Sequence, residues 1–408
     1  MERAYERLRR YAAIPTASDE ESGTCPSCAD ELDLARLLEA ELKEMGAKGV
    51  TLDENGYLFA EIPATASGRQ TAGFIAHLDT VRCVPWKDIK TNLIPDYDGK
   101  DIVLENGDTV TVASCPQLAR HRGKTMLVTD GRTLLGADDK AGVAEIMCMA
   151  QRLLAEDAPP HGRVMLGFTP DEEIGRGADR FDVARFGADY AYTVDGGELG
   201  EVNFETFNAA DGIVTARGVS THPGSAKGAM VNAANAVADF AALLPAQERA
   251  ETTEGREGFY HLCGISGECE SARAVYIIRD HDRERFERRK DYFIKAAQLI
   301  NARYGCGVLA AEVKDSYYNM AQVLADRPYI LGLAKEAFRA NGIEPRVEPV
   351  RGGTDGSRLS FMGLPCPNLS CCGINAHGRH EMVPVEDMDR MADVLVTLAC
   401  MAPEADKA

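Results

Sequence analysis

The chain has 408 residues, 45% of them hydrophobic and 27% charged, and a formal net charge of -19. Domains cluster at roughly 100–200 residues, so this length asks for two, with apolar material enough for real cores. The acidic balance excludes nucleic acid and anionic membrane as electrostatic partners, because both recruit basic patches.

Residues 1–7 carry charges of both signs and no apolar stretch, so no signal peptide is expected. No uncharged apolar run approaches the ~20 residues of a membrane span. A cytoplasmic protein is the expectation. A first helix is predicted over residues 2–13. Beyond it, Cys25-Pro26-Ser27-Cys28 has C-x-x-C spacing. A structural zinc site needs a second such pair, and the adjacent Cys371 and Cys372 do not supply one. The 12 cysteines are irregularly spaced in a long chain, which is no disulfide framework.

A second helix begins near Asp33, carries Leu34, Leu37, Leu38 and Leu42 at helical spacing, and stops at Gly46. Strands are predicted at 50–52, 57–62, 73–76 and 125–128, a helix over 142–154, and strands at 164–168 and 190–194. Apolar strands alternating with amphipathic helices indicate an α/β fold, a central mixed sheet with helices on both faces. From residue 208 the texture changes: strand 212–217, helix 232–244, strand 275–279, a charged helix over 282–304 and strand 308–313. This is a β-α-β-β-α-β-like grouping. The first texture returns with helix 329–341, strand 347–350, a glycine-rich turn and a helix from Val385. The expected organisation is a catalytic domain made of 1–207 and 317–408, interrupted at 208–316 by a smaller α+β domain of lid or dimerisation type.

Acids and histidines stand at the ends of these strands. His77 and Asp79 close an apolar strand, and positions i and i+2 share one face, so the carboxylate can hold the second nitrogen of a metal-bound imidazole. Asp138 and Asp139 precede a helix. Asp171, Glu172 and Glu173 lie between Pro170 and Gly175, Asp195 ends the strand 190–194, and His377-Gly378-Arg379-His380-Glu381 lies near the C-terminus. Each has a plain alternative as a helix cap, solvated loop or satisfied polar pair. Together they fill the carboxyl ends of strands, where α/β sheets form their ligand crevice. Oxygen and imidazole donors without thiolate suit a hydrolytic two-zinc site. Its charge closes: two zinc ions are balanced by Asp138, Glu173, Asp195 and one hydroxide, with His77 and His380 neutral. Spacing alone does not separate Glu172 from Glu173.

Arg279, beside Asp280 and Asp282, has the fork to receive a peptide carboxylate. Arg351-Gly352-Gly353-Thr354-Asp355 offers backbone amides at a helix start, with Arg351 and Gly353 as candidate substrate contacts; Asn319 is another.

In segments spread over almost the whole chain, among them Gly73–Thr80, Thr133–Ile146, Phe168–Gly177, Tyr192–Ala210, Arg351–Asp355 and His377–Glu381, the sequence resembles the peptidase T group of tripeptide aminopeptidases. That group belongs to the di-zinc clan that includes bacterial glutamate carboxypeptidases and aminoacylases. The resemblance implies that His77 and Asp195 hold one zinc, Glu173 and His380 the other, and that Asp138 bridges them. It implies Asp79 as the residue orienting His77, Glu172 as the base that deprotonates a metal-bridging water, a cis peptide at Asp138–Asp139, and His222 as an oxyanion donor from its own or a partner chain. Two zinc ions per chain are implied, with cobalt or manganese as substitutes, and short peptides as substrates in peptide catabolism; a homodimer is an expectation too. Competing readings are a dipeptidase or N-acyl amino acid deacylase of the same clan and a metal-free binding protein that keeps the fold. Cys371 and Cys372 depart from the glycine-rich sequence expected before the last histidine motif.

Overall fold

The computed structural model describes residues 1–305 and 307–405. It separates into two compact units. One comprises Met1–Phe204, Gln322–Glu348 and the chain from Thr354 onward; the other comprises Glu205–Ala321 and Pro349–Gly353.

The first unit is built on an eight-stranded sheet in the order Lys48–Leu52, Leu58–Ile62, Val164–Thr169, Ala72–His77, Tyr190–Gly196, Asn368–Ser370, Glu201–Asn203, Arg346–Val347. The sheet is mixed, as expected: Ala72–His77 runs parallel to Val164–Thr169 and to Tyr190–Gly196, whereas Leu58–Ile62 is antiparallel to Val164–Thr169. Every residue of Ala72–His77 and of Val164–Thr169 is buried. Continuous apolar strands of this kind need cover on both faces. Because the three central strands are parallel, their carboxyl ends fall together: His77 is in register with Thr169, and Asp195 ends the neighbouring strand.

The helix Ala137–Leu153 crosses close to this sheet. A Cβ on Gly142 would lie 1.9 Å from the Val194 carbonyl oxygen, so only glycine permits the approach. This helix starts earlier than the predicted 142–154 because a short turn precedes it: Asp138 and Asp139 have non-helical backbone angles, and their peptide bond is cis, as the resemblance implies. Small sheets over 91–129 and 382–384, and the hairpin strands Ile102–Val103 and Thr109–Val110, were largely not predicted. No helix among the described residues is long and apolar enough to cross a membrane.

The second unit is a four-stranded antiparallel sheet in the order Phe259–Gly267, Ser271–Asp280, Asn208–Arg217, Leu309–Tyr317. Alternate residues Ala272, Ala274, Tyr276 and Ile278 point to one face and pack with Phe240 of helix Ala233–Leu243 and with Phe286, Phe293 and Ile300 of helix Arg283–Tyr304. Both helices carry a side-chain N-cap, Asn232 to the Asn235 amide and Asp282 to the Arg285 amide. The unit extends beyond 208–316 because Val350 N donates to Glu205 O (2.8 Å) and Phe207 N to Gly352 O (3.3 Å), which ties the returning segment to it.

Candidate metal centre

Two donor sets meet at one residue. His77, Asp138 and Asp195 form the first; Asp138, Glu173 and His377 form the second. The Asp138 carboxylate divides between them: Oδ1 lies 3.0 Å from His77 Nε2 and Oδ2 lies 3.0 Å from His377 Nε2. Asp195 Oδ1 is 3.6 Å from His77 Nε2, and Glu173 Oε2 is 3.0 Å from His377 Nε2.

The structure brings in His377, not the expected His380. The His380 side chain is 43% exposed and its Nε2 lies 4.0 Å from Asp108 Oδ2. The two histidines are three residues apart in a turn, and the left-handed backbone of His377 (φ 63°) sends them in different directions.

Asp79 is fully buried and does three jobs. His77 Nδ1 lies 3.0 Å from its carbonyl and 3.3 Å from Oδ1, which leaves Nε2 for the centre. Its Oδ1 accepts the Glu172 amide (2.9 Å) and its Oδ2 the Glu173 amide (3.1 Å), so one carboxylate sets the imidazole and both glutamates. Sequence reasoning missed Glu381, whose Oε2 accepts the Leu135 and Gly136 amides (2.9 and 2.6 Å) and whose Oε1 accepts the Asp138 amide (3.0 Å). It shapes the loop that carries Asp138.

The electrostatics are those of a cluster short of positive charge. Burial first, then the Asp195 charge, pushes the Glu172 carboxyl well above its ordinary range. Burial raises Glu173 to about 7 and Asp195 to about 6. Hydrogen bonds to Asp138 and Glu173 raise His377 to about 11. Asp138 is held low: burial opposes ionisation, but hydrogen bonds from His377 and His77 outweigh it. Glu173 Oε1 is buried and has no hydrogen-bond partner. An unpaired buried carboxylate oxygen among imidazoles and further carboxylates is the donor chemistry that divalent cations satisfy.

The remaining candidates lie in the second unit. His222 is exposed, and its Nδ1 accepts the Gly224 amide (3.1 Å). The hydrogen bonds of Arg279 run from Nη1 to Ala210 O and Ile278 O, with the guanidinium 5.5 Å from the Tyr317 ring centre. Arg351 and Asn319 are engaged internally. Arg351 donates to Gly255 O, Glu257 O and Thr253 Oγ1 while lying over Phe207 and Phe259. Asn319 accepts the Thr206 and Ala321 amides and donates to His281 O. A Cβ on Gly353 would meet the Tyr317 ring at 2.5 Å, so close packing accounts for that glycine.

Residues 116–400 match the model of peptidase family M20/M25/M40. The chain belongs to this family. It is 48% identical over 396 residues to peptidase T of Geobacillus thermodenitrificans, covering 96% of each chain. Among solved structures it is similar to aminopeptidase PepT of Bacillus cereus (TM-score 0.77, 24% identity, 97% of each chain) and to a tripeptidase of Staphylococcus aureus (TM-score 0.76, 20% identity, 98% of each chain). The family makes the chain a peptidase, and the two donor sets are its candidate metal-binding groups.

Proposed function

We propose that the protein is a metal-dependent aminopeptidase that releases the N-terminal residue of tripeptides, with two zinc ions held by His77, Asp195 and Asp138 and by Glu173, His377 and Asp138. The observation that carries this reading is the Asp138 carboxylate, which presents one oxygen to each histidine. Bound there, the ions would supply Lewis-acid polarisation of the scissile carbonyl and acidify water.

The protein's own part falls to Glu172. Its carboxylate takes a proton from the attacking water and later gives it to the leaving amine nitrogen, so it ends the cycle as it began. Asp79 fixes it by the amide and fixes His77 by the ring. His222 is the candidate donor to the oxyanion. With Nδ1 accepting the Gly224 amide, the neutral ring carries its proton on Nε2, which is then a donor. Arg279 is the candidate for the peptide carboxylate, since its hydrogen bonds employ Nη1.

Glu172→Ala tests this. Metal content stays at the parental level and turnover of a tripeptide falls by ~10²–10⁴-fold, the range for loss of a general base. Near-parental turnover refutes the scheme. A panel of tripeptides, dipeptides and N-acyl amino acids tests the specificity, and a preference for blocked N-termini would assign the protein to the deacylases instead.

A further inference from the structure

The turn that carries Glu172 and Glu173 is only three residues of 3-10 helix, Glu172–Ile174. Its opening amides have no partner inside so short a turn. Three successive amides are nevertheless satisfied, each by a fully buried carboxylate. Asp79 takes those of Glu172 and Glu173; Glu31 Oε2 takes that of Asp171 (3.2 Å).

Glu31 opens the helix Glu31–Met45, and its other oxygen accepts the Cys28 amide (3.1 Å) and lies 3.4 Å from Ser27 Oγ. Asp171 closes the circuit: both its carboxylate oxygens accept the Ser27 amide, at 2.9 and 3.0 Å. Gly56 lies beside both segments: a Cβ there would be 3.6 Å from Pro26 Cβ and 3.5 Å from Pro170 Cβ. Asp171 itself holds a left-handed backbone (φ 59°), uncommon outside glycine. The loop 25–28, which reads in sequence as two thiols, thus works here through backbone amides.

We propose that Glu31 and Asp171 are positioning residues for the hydrolysis, bracing the loop 25–28 against the glutamate turn so that Glu172 faces the reacting water. This rests on Glu172 being the base. Asp79 ties that turn to the sheet, and the Glu31–Asp171 circuit ties it to the helix on its other flank. A misplacement of about 1 Å at a reacting group costs on the order of 10²-fold in rate.

The test uses the full-length, metal-loaded enzyme with metal measured on every sample. Glu31→Ala lowers kcat on a tripeptide by ~10–100-fold while KM stays within about threefold and metal content is parental. Glu31→Gln, which keeps an oxygen for the Asp171 amide, recovers most of the lost kcat. Asp171→Asn, which keeps one acceptor for Ser27 and tolerates the left-handed backbone, gives a smaller loss with the same split; it carries the test should Glu31→Ala fail to fold. A kcat within twofold of the parent in Glu31→Ala or in Asp171→Asn at full metal overturns the proposal. So does a loss that tracks metal content alone, or one that Glu31→Gln does not recover. Glu172→Ala run alongside separates the two claims. If it remains active, the base assignment fails. If it is inactive while Glu31→Ala is parental, only the brace fails.

Discussion

Glu381→Ala is the most informative perturbation outside the donor sets. The parent side chain is 2% exposed and takes three amides, those of Leu135, Gly136 and Asp138. Alanine leaves all three donors without an acceptor in a buried loop. Each orphaned group costs ~1–3 kcal/mol, and entry of water offsets part of it, so the net loss should be about 3–5 kcal/mol. At ~2–4 °C per kcal/mol for a unit of this size, the metal-free protein should melt roughly 10 °C lower. The same loop presents Asp138, so zinc affinity should fall by ~10–100-fold, as when other groups that orient ligands are removed. Circular dichroism melting of the metal-free variant and calorimetric zinc titration measure the two effects. A melting point within about 2 °C of the parent, with parental zinc affinity, would refute the reasoning.

His377→Ala should reduce metal affinity by at least ~10-fold and turnover with it, whereas His380→Ala, on an exposed side chain, should leave both within about threefold; metal analysis by mass spectrometry and a tripeptide assay check the pair. His121 supports a separate pH prediction. It is buried between Glu198 (3.1 Å) and Asp387 (3.4 Å). Burial opposes its charge, but hydrogen bonds to Asp387 and Glu198 win, and its proton affinity is raised. A histidine raised on folding contributes its stability fully below the unfolded value near 6.5 and loses it as pH climbs through the folded one. The melting-point gap between parent and His121→Gln should therefore be widest below pH ~6.5 and narrow as pH rises. A gap that widens with pH would contradict this sign.

Much of the centre was legible because parallel strands align their carboxyl ends. A reader of local pattern can see that His77 and Asp195 close apolar runs, and that Glu172 and Glu173 follow one directly. The sheet then does the assembling. The histidine pair was not legible. Residues 371–381 have no periodicity, and Cys372, Asn375 and His377 take left-handed backbone conformations that no spacing rule anticipates. Glu31 and Asp171 lie 140 residues apart, so nothing local announces their contact. The strand Phe259–Gly267 escaped notice because its residues from Leu262 on are exposed and show no alternation of apolar and polar faces. Asn319 and Arg351 look available in sequence, yet both spend their hydrogen bonds on neighbouring backbone.

The Glu381 clasp also fixes an order in time. A chain made from Met1 onward presents His77, Asp138, Glu173 and Asp195 long before residues 377–381 exist. Until then the second donor set lacks its imidazole, and three amides of the Asp138 loop lack their acceptor. The second donor set can therefore be completed only when residues 377–381 fold back onto the Asp138 loop, whereas the first set needs none of them. A chain cut before residue 377 would keep His77, Asp138 and Asp195 but lose the imidazole of the second donor set and the acceptor of three amides, so it should hold one ion at most.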